Sequence, residues 1–186
     1  HLGSFESLRA GAQTIGTRVA MLMYEDNARL INATLKAIAP DAPLHTIPLG
    51  RPGAMLALRR WLDEGGMAGL LADRTLPGHS GRSRTWMLPF LGTPAPFSDG
   101  PLRLAALLRQ RVFFMAGLYH GGAHYSLRFE PLADFRATDA AALEAEVQAA
   151  LQRYVALLET MCRAAPTNWF NFYDFWASDA HASTLT

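Results

Sequence analysis

The sequence alternates short apolar runs with longer amphipathic stretches, and this alternation constrains the fold more than any other feature. Strand-like runs at 18–24, 44–49 and 67–72 are separated by stretches in which Leu and Ile recur at helical spacing. A chain that switches repeatedly between the two periods favours helices packed on a sheet. We therefore predict an α/β fold with a mainly parallel open sheet, flanking helices and one antiparallel hairpin at Gly121–Gly122.

The residues 92–100 lie between a strand-like run at 85–91 and a helix that Pro101 starts. They contain Pro94 and Pro96, and proline is rare inside strands because it lacks a backbone donor. We therefore predict a loop here. This loop leaves the Gly121–Gly122 hairpin as the one antiparallel element.

Length and composition fit one globular domain. The 186 residues are half hydrophobic and 18% charged, which is enough apolar material for a core. We predict a single domain over residues 1–176, followed by a polar C-terminal tail at 177–186. The formal net charge of +1 argues against a nucleic-acid partner. The single cysteine, Cys162, excludes an internal disulfide framework and a cysteine-built zinc site, and no glycine-rich nucleotide motif is present.

His1 and Glu6 form the first candidate site, an HX4E motif. If a helix begins at Ser4 or Phe5, the carboxylate can fold back onto the imidazole and hold one ring nitrogen as N–H. The other nitrogen is then free to take a proton from an alcohol. This is the base-and-orienter pair of a Ser-His-Asp site without the serine, so a substrate hydroxyl has to be the nucleophile. The spacing also arises by chance.

Asp73 and Arg74 form the second candidate, because they follow the predicted strand at 67–72. Ligands of open α/β sheets bind at the carboxyl ends of strands, and an arginine there can bind a phosphate with two donors. Arg82 and Arg84 make the same loop cationic, which favours an anionic ligand. A surface ion pair is the alternative interpretation.

The third candidate is the turn that contains Asp99 and Gly100, just before the helix that Pro101 starts. Free backbone N–H groups at a helix start can bind a phosphate or a developing oxyanion. A helix start capped by aspartate is the alternative interpretation.

Taken in order, these motifs form a recognisable set. The blocks are His1-x4-Glu6, the apolar strand that ends in Asp73-Arg74, the Arg-rich loop, Met87–Gly92, the Phe97-x-x-Gly100 turn and Val112–Phe114. The chain resembles the lysophospholipid acyltransferase superfamily, in particular the late acyltransferases of lipid A biosynthesis, the lauroyl and myristoyl transferases. Its closing segment, 168–176, is similar to acyltransferases of aryl polyene and xanthomonadin-type pigment clusters.

The resemblance implies a glycerol-3-phosphate-acyltransferase-like fold and an O-acyltransferase that needs no metal or other cofactor. His1 would be the catalytic base, Glu6 its orienting carboxylate and Arg74 the ligand of an acceptor phosphate. Asp99 and Gly100 fall where glycerolipid members carry a Glu-Gly pair, and this difference argues against a glycerol-3-phosphate acceptor.

The implied donor is a fatty or polyenoic thioester on acyl carrier protein or coenzyme A, and the implied acceptor is a hydroxyl of a membrane lipid or lipid A-like molecule. The resemblance also implies peripheral contact with the cytoplasmic face of the bacterial inner membrane. Family members carry an N-terminal apolar anchor helix and a first strand before the histidine, so we expect this chain to be truncated there. A fold of this kind is expected to carry an apolar acyl cleft, lined by Phe5, Phe90, Leu91, Phe97 and Phe114. An acyl-thioester hydrolase and a non-catalytic lipid-binding module are the alternatives.

Overall fold

The chain divides into two compact units. The computed structural model describes residues 2–14, 16–24, 45–73, 84–172, 174–176 and 183–184. Residues 9–70 form the smaller unit, and residues 1–8 together with 71–186 form the larger unit.

The smaller unit is built on a parallel sheet. Its elements are the end of α1 (Phe5–Thr14), β1 (Val19–Tyr24), β2 (His45–Leu49), α2 (Ala54–Asp63) and β3 (Met67–Gly69). The strands pair in the order β2-β1-β3, with both pairs parallel. Ala20, Met21 and Leu22 of the central strand are all buried, which is why β1 reads as a continuous apolar run rather than an alternating one.

Helix α2 is tied to the sheet through one tryptophan. The Trp61 indole N–H donates a hydrogen bond of 2.8 Å to the Met67 carbonyl oxygen at the start of β3. The imidazole of His45, at the start of β2, stacks on the same indole with ring centroids 4.3 Å apart. Trp61 therefore holds the helix between the two outer strands.

The larger unit contains two antiparallel hairpins and a long helix. Its elements after residue 71 are β4 (Thr85–Phe90), β5 (Thr93–Ser98), α3 (Gly100–Leu107), β6 (Arg111–Tyr119), β7 (Tyr125–Asp134), α4 (Leu143–Ala164), a 3-10 turn (Pro166–Asn168) and β8 (Ser183–Thr184). Strand β4 pairs antiparallel with β5 and parallel with β8, while β6 pairs antiparallel with β7. The hairpin predicted at Gly121–Gly122 is confirmed.

The predicted loop at 92–100 is wrong, because these residues contain strand β5. Pro94 and Pro96 are two positions apart, so their missing N–H groups lie on the same edge of the strand. Among the described strands, β5 stands at the edge of its sheet and pairs only with β4. An edge strand needs donors on one side only, so both prolines fit. The turn residues Leu91 and Gly92 have φ of 54° and 92°, as a tight two-residue hairpin turn requires.

An aromatic cluster fills the core of the larger unit. Phe90 is fully buried, and its ring centroid lies 5.5 Å from that of Phe97, 5.5 Å from Trp169 and 5.3 Å from Phe175. Helix α4 covers this cluster with a stripe of buried residues: Val147, Ala150, Leu151, Val155, Leu158 and Cys162. This stripe is the face of α4 that packs on the core.

The fold is mixed α/β, with four helices, a three-stranded parallel sheet and antiparallel hairpins within the described residues. The α/β class and the parallel sheet are confirmed, whereas the expectation of one hairpin is wrong because β4 and β5 form a second. Of the predicted tail at 177–186, only Ser183–Thr184 belong to the described residues. The single domain over 1–176 stays a prediction.

We expect Leu151→Ala to lower the free energy of unfolding by about 2–5 kcal/mol, because it opens a cavity under α4. Leu151 is 1% exposed. The matched control is Leu107→Ala in α3, where the side chain is 67% exposed and the change should stay within about 0.5 kcal/mol. Urea unfolding followed by circular dichroism measures both values, and equal losses would contradict this description of the core.

Candidate active site

The segment that leads from His1 to Glu6 is held by backbone hydrogen bonds in the larger unit. The Gly3 N–H donates to the Asn168 carbonyl oxygen at 2.7 Å, and the Ser4 N–H donates to the Gly117 carbonyl oxygen at 2.8 Å. Leu2 also bridges Trp169, and Gly3 bridges Gly117, as isolated β-pairs. The segment is thus bound between strand β6 and the residues that follow the 3-10 turn.

Two glycines make this close approach possible. A Cβ at Gly3 would overlap the Gly117 carbonyl oxygen, and Gly3 also has φ of +71°. A Cβ at Gly117 would overlap the Ser7 hydroxyl oxygen and crowd the Ser4 carbonyl oxygen at 2.6 Å. Side chains at either position would push the segment away from the strand.

Helix α1 begins directly after this contact. The Ser7 N–H donates to Ser4 Oγ at 3.3 Å, and the Ser7 hydroxyl donates to the Ser4 carbonyl oxygen at 2.8 Å. Ser4 therefore caps the helix start, as serine commonly does. Glu6 is half-buried in the first turn, where the helix dipole favours a carboxylate. Helix α1 thus begins at Phe5, one of the two start positions considered for the HX4E motif.

Asn168 is a functional candidate that sequence reasoning missed. Its side-chain oxygen accepts a 2.6 Å hydrogen bond from the Tyr119 N–H, and its amide N–H donates to the Tyr119 carbonyl oxygen at 3.1 Å. The residue is 5% exposed. A glycine inside an apolar strand, at 117, was the available sequence signal for a close backbone approach. Asn168 itself gave no such signal.

Three predicted site residues, His1, Arg74 and Arg82, lie outside the described residues. Arg84 is exposed, and its Nη1 lies 3.5 Å from Glu144 Oε1. The side-chain roles predicted for all four stay predictions.

Asp73 is buried, with 3% of its surface exposed, and is the fourth residue after the strand at 67–69. It lies close enough to Cys162 for its charge to act on that thiol. Burial, and secondly the Asp73 carboxylate, raise the pKa of Cys162 to about 11. Cys162 is a buried residue of the core cluster.

Asp99 is fully buried and joins three elements. Its carboxylate accepts a 2.7 Å hydrogen bond from the Arg84 N–H and a 3.0 Å hydrogen bond from the Trp86 indole N–H. Arg103 Nε lies 2.8 Å from Asp99 Oδ2, which makes a largely buried ion pair. Asp99 thus connects the start of β4, the end of β5 and the first turn of α3.

The ion pair continues to the surface through Arg103. Its guanidinium donates to both carboxylate oxygens of Glu144, at 2.8 and 2.6 Å. These hydrogen bonds lower the pKa of the Glu144 carboxyl and raise the pKa of Arg103. The chain from Asp99 to Glu144 therefore links α3 to the start of α4 with alternating charges.

Gly100 starts α3, and its N–H donates to Ser98 Oγ at 3.2 Å. Protein groups thus bind both members of the predicted Asp99-Gly100 ligand site. Contact of either residue with a substrate stays a prediction.

The predicted acyl-cleft residues lie in different surroundings. Phe90, Phe97 and Phe114 are buried in the core cluster, Leu91 occupies the β4–β5 turn, and Phe5 is half-buried at the first position of α1. A role in binding an acyl chain stays a prediction for all five.

Within the part of the chain that the structure describes, no group of three or more His, Cys, Asp or Glu side chains could hold a metal ion. No helix there combines the length and apolar composition needed to cross a bilayer.

The family model for bacterial lipid A biosynthesis acyltransferase matches residues 44–178. The chain belongs to this family. It is therefore an acyltransferase with a lipid-like acceptor, which confirms the predicted enzyme class. The matched region includes Asp73, Asp99 and Asn168, while His1 and Glu6 precede it. No curated protein matches the chain.

We expect Asp99→Ala to lower the free energy of unfolding of this acyltransferase by about 3 kcal/mol or more, because two buried N–H groups and Arg103 lose their acceptor. Asp63→Ala is the matched control. Asp63 forms an exposed ion pair with Arg59 within one helix, and such pairs contribute about 0.5 kcal/mol or less. Urea unfolding measures both free energies. An unchanged midpoint in Asp99→Ala would contradict the view that the bonds of Asp99 to Arg84, Trp86 and Arg103 stabilise the fold.

The raised pKa predicts that Cys162 reacts slowly with thiol reagents. At pH 8 roughly one thiol in a thousand would be ionised, and the side chain is 3% exposed. Labelling with iodoacetamide should be slow in the folded protein and fast in urea. Rapid stoichiometric labelling of the folded protein would contradict the description of Cys162 as a buried, protonated thiol.

The same shift has a consequence for stability. The ordinary pKa of the thiol is 9.0 and the folded value is about 11. The stabilisation from the buried neutral thiol is therefore complete below pH 9 and is lost as the pH rises towards 11. Cys162→Ala should remove this part of the alkaline loss, which paired unfolding curves at pH 8 and pH 10.5 would measure.

Proposed function

We propose that the chain transfers a fatty or polyenoic acyl group from an acyl thioester, carried by acyl carrier protein, to a hydroxyl of a lipid A-like or other membrane lipid acceptor. His1 acts as the general base and Glu6 orients it. The observation that carries this proposal is the match to the lipid A acyltransferase family over most of the chain. The HX4E motif and the anchoring of residues 2–4 beside β6 support the assignment of the base.

In the proposed reaction the His1 imidazole takes the proton of the acceptor hydroxyl as the oxygen attacks the thioester carbonyl. A tetrahedral intermediate forms, and its collapse breaks the carbon–sulfur bond. The leaving thiolate then takes the proton from the imidazolium. The new ester and the free thiol are the products. Glu6 keeps the imidazole in the tautomer that can accept the proton and stabilises the imidazolium. General-base action of this kind contributes roughly 10²–10⁴-fold.

Anionic groups of the acceptor are assigned to the Arg-rich loop. Arg74 is proposed to bind an acceptor phosphate, with Arg82, Arg84 and Asp73 completing the site, since guanidinium groups bind phosphate with two donors. Asp99 and Gly100 are proposed to support the acceptor end of the cleft. The carboxylate of Asp99 already binds Arg84, Trp86 and Arg103, so its proposed contribution to this site includes placing the Arg84 backbone.

The finer assignments rest on the resemblance to lauroyl and myristoyl transferases and to the acyltransferases of aryl polyene clusters. They comprise a glycerol-3-phosphate-acyltransferase-like domain over 1–176, an acyl cleft near Phe5, Phe90, Leu91, Phe97 and Phe114, and work at the cytoplasmic face of the inner membrane. Members of the family are usually associated with membranes, which supports the last point.

We expect His1→Ala, in the full-length protein, to lower the rate of acyl transfer by about 10²–10⁴-fold while the fold is kept. His124→Ala is the control, since His124 is exposed at the β6–β7 turn. The assay combines lauroyl-acyl carrier protein with a lipid A disaccharide and follows the acylated product by mass spectrometry. Full turnover by His1→Ala would refute the role of the base.

Glu6→Gln should reduce the same rate by about 10²-fold or more, because an amide cannot stabilise the imidazolium as a carboxylate does. Glu146→Gln, an exposed position of α4, is the control. Omitting the lipid acceptor separates transfer from hydrolysis: acyl transfer predicts little free fatty acid, whereas rapid acceptor-independent release would indicate a thioester hydrolase.

A further inference from the structure

We propose that Asn168 is a positioning residue for the segment that carries the catalytic base. The inference rests on the proposed function of His1 and Glu6, and it concerns how the fold holds the chain between them. The observation behind it is that one buried residue binds both strand β6 and the segment at residues 2–4.

The side chain of Asn168 makes the two hydrogen bonds that a residue of a neighbouring strand would make to Tyr119. A carboxamide offers one acceptor and one donor, and Asn168 uses them on the N–H and C=O of the same residue, Tyr119. Its position is thereby fixed against the end of β6. Leucine, serine or alanine at 168 could not make both bonds.

The backbone of Asn168 binds residues 2–4 directly. Its carbonyl oxygen accepts the Gly3 N–H at 2.7 Å, while Gly117, two residues before Tyr119, accepts the Ser4 N–H at 2.8 Å. The N–H groups of Gly3 and Ser4 are therefore bound to the carbonyl oxygens of Asn168 and Gly117. The side chain of Asn168 fixes its own position relative to the strand that contains Gly117. Gly3 and Ser4 follow His1 by two and three residues, and Glu6 follows Ser4 by two.

Leu2 packs against the core, but where Gly3 meets Gly117 the contact depends on backbone hydrogen bonds. Neither Gly3 nor Gly117 has a side chain that could hold the segment by apolar packing, and a Cβ on either would prevent the approach. Loss of the two hydrogen bonds between the Asn168 side chain and Tyr119 should therefore loosen residues 2–4 more than the rest of the larger unit. A displacement of about 1 Å at a catalytic group can lower a rate about 10²-fold.

The experiment compares Asn168→Ala and Asn168→Asp with Thr167→Ala in the full-length protein. Asn168→Asp keeps the acceptor for the Tyr119 N–H and loses the donor, and Thr167 is the exposed neighbour in the same 3-10 turn. Hydrogen exchange followed by mass spectrometry is measured for peptides covering residues 2–8 and, as an internal reference, α4. Transfer from lauroyl-acyl carrier protein to a lipid A disaccharide gives kcat and KM for the donor.

We expect exchange in residues 2–8 to accelerate at least tenfold in Asn168→Ala, with α4 unchanged. The value of kcat should fall about 10–100-fold while KM for the donor stays within twofold. Asn168→Asp should lie between Asn168→Ala and wild type, and Thr167→Ala should match wild type in both measurements.

Unchanged exchange in residues 2–8, or a fall in kcat without faster exchange there, would overturn the inference. Equal acceleration in α4 and in residues 2–8, in both variants of Asn168, would also overturn it, because Asn168 would then only support the fold. The exchange measurement does not depend on catalysis. Full turnover by His1→Ala would therefore refute the proposed function, and hydrogen exchange would still test whether Asn168 holds residues 2–4 in place.

Discussion

The contact between residues 2–4 and strand β6 is the constraint on which the candidate active site depends. It brings two backbones together with glycine on both sides, and backbone hydrogen bonds at Gly3 and Ser4 hold it together with the packing of Leu2 against the core. Because Ser4 also caps α1, the position of this contact decides where the helix starts and where Glu6 stands. The position of Glu6, one member of the proposed HX4E pair, therefore depends on the backbone geometry around Gly3 and Gly117.

Asp99 shows how a motif that resembles a ligand site can hold the protein together. A carboxylate can accept several hydrogen bonds, and this one is taken up by the Arg84 N–H, the Trp86 indole and the Arg103 guanidinium. The same motif still affects the site, because it fixes the residue at which the Arg-rich loop ends. The observed bonds of Asp99 are all to protein groups, so its structural role is established by the fold itself.

Local patterns in the sequence predicted most of the elements, because strand and helix periods are properties of neighbouring residues. The buried run of β1, the strand at β4 and the Gly121–Gly122 hairpin could all be predicted in this way. Strand β5 could not, since its two prolines are acceptable only when one edge of the strand is unpaired. Asn168 was missed because its partner, Tyr119, is 49 residues away in the chain. The order of the motifs, rather than any single spacing, indicated the acyltransferase family, and the family match over residues 44–178 confirms it.

The proline pair of β5 has an effect beyond its own hairpin. An open strand normally offers a row of N–H donors to any extended peptide that comes near, and this is how sheets from different molecules join. Strand β5 presents Pro94 and Pro96 along that row, so two successive outward donors are missing. The carbonyl oxygens of a foreign strand that lay opposite Pro94 and Pro96 would find no N–H donor. Within the described residues, this edge of the sheet therefore offers fewer donors to a foreign strand, while the other edge of β5 keeps the pairing with β4.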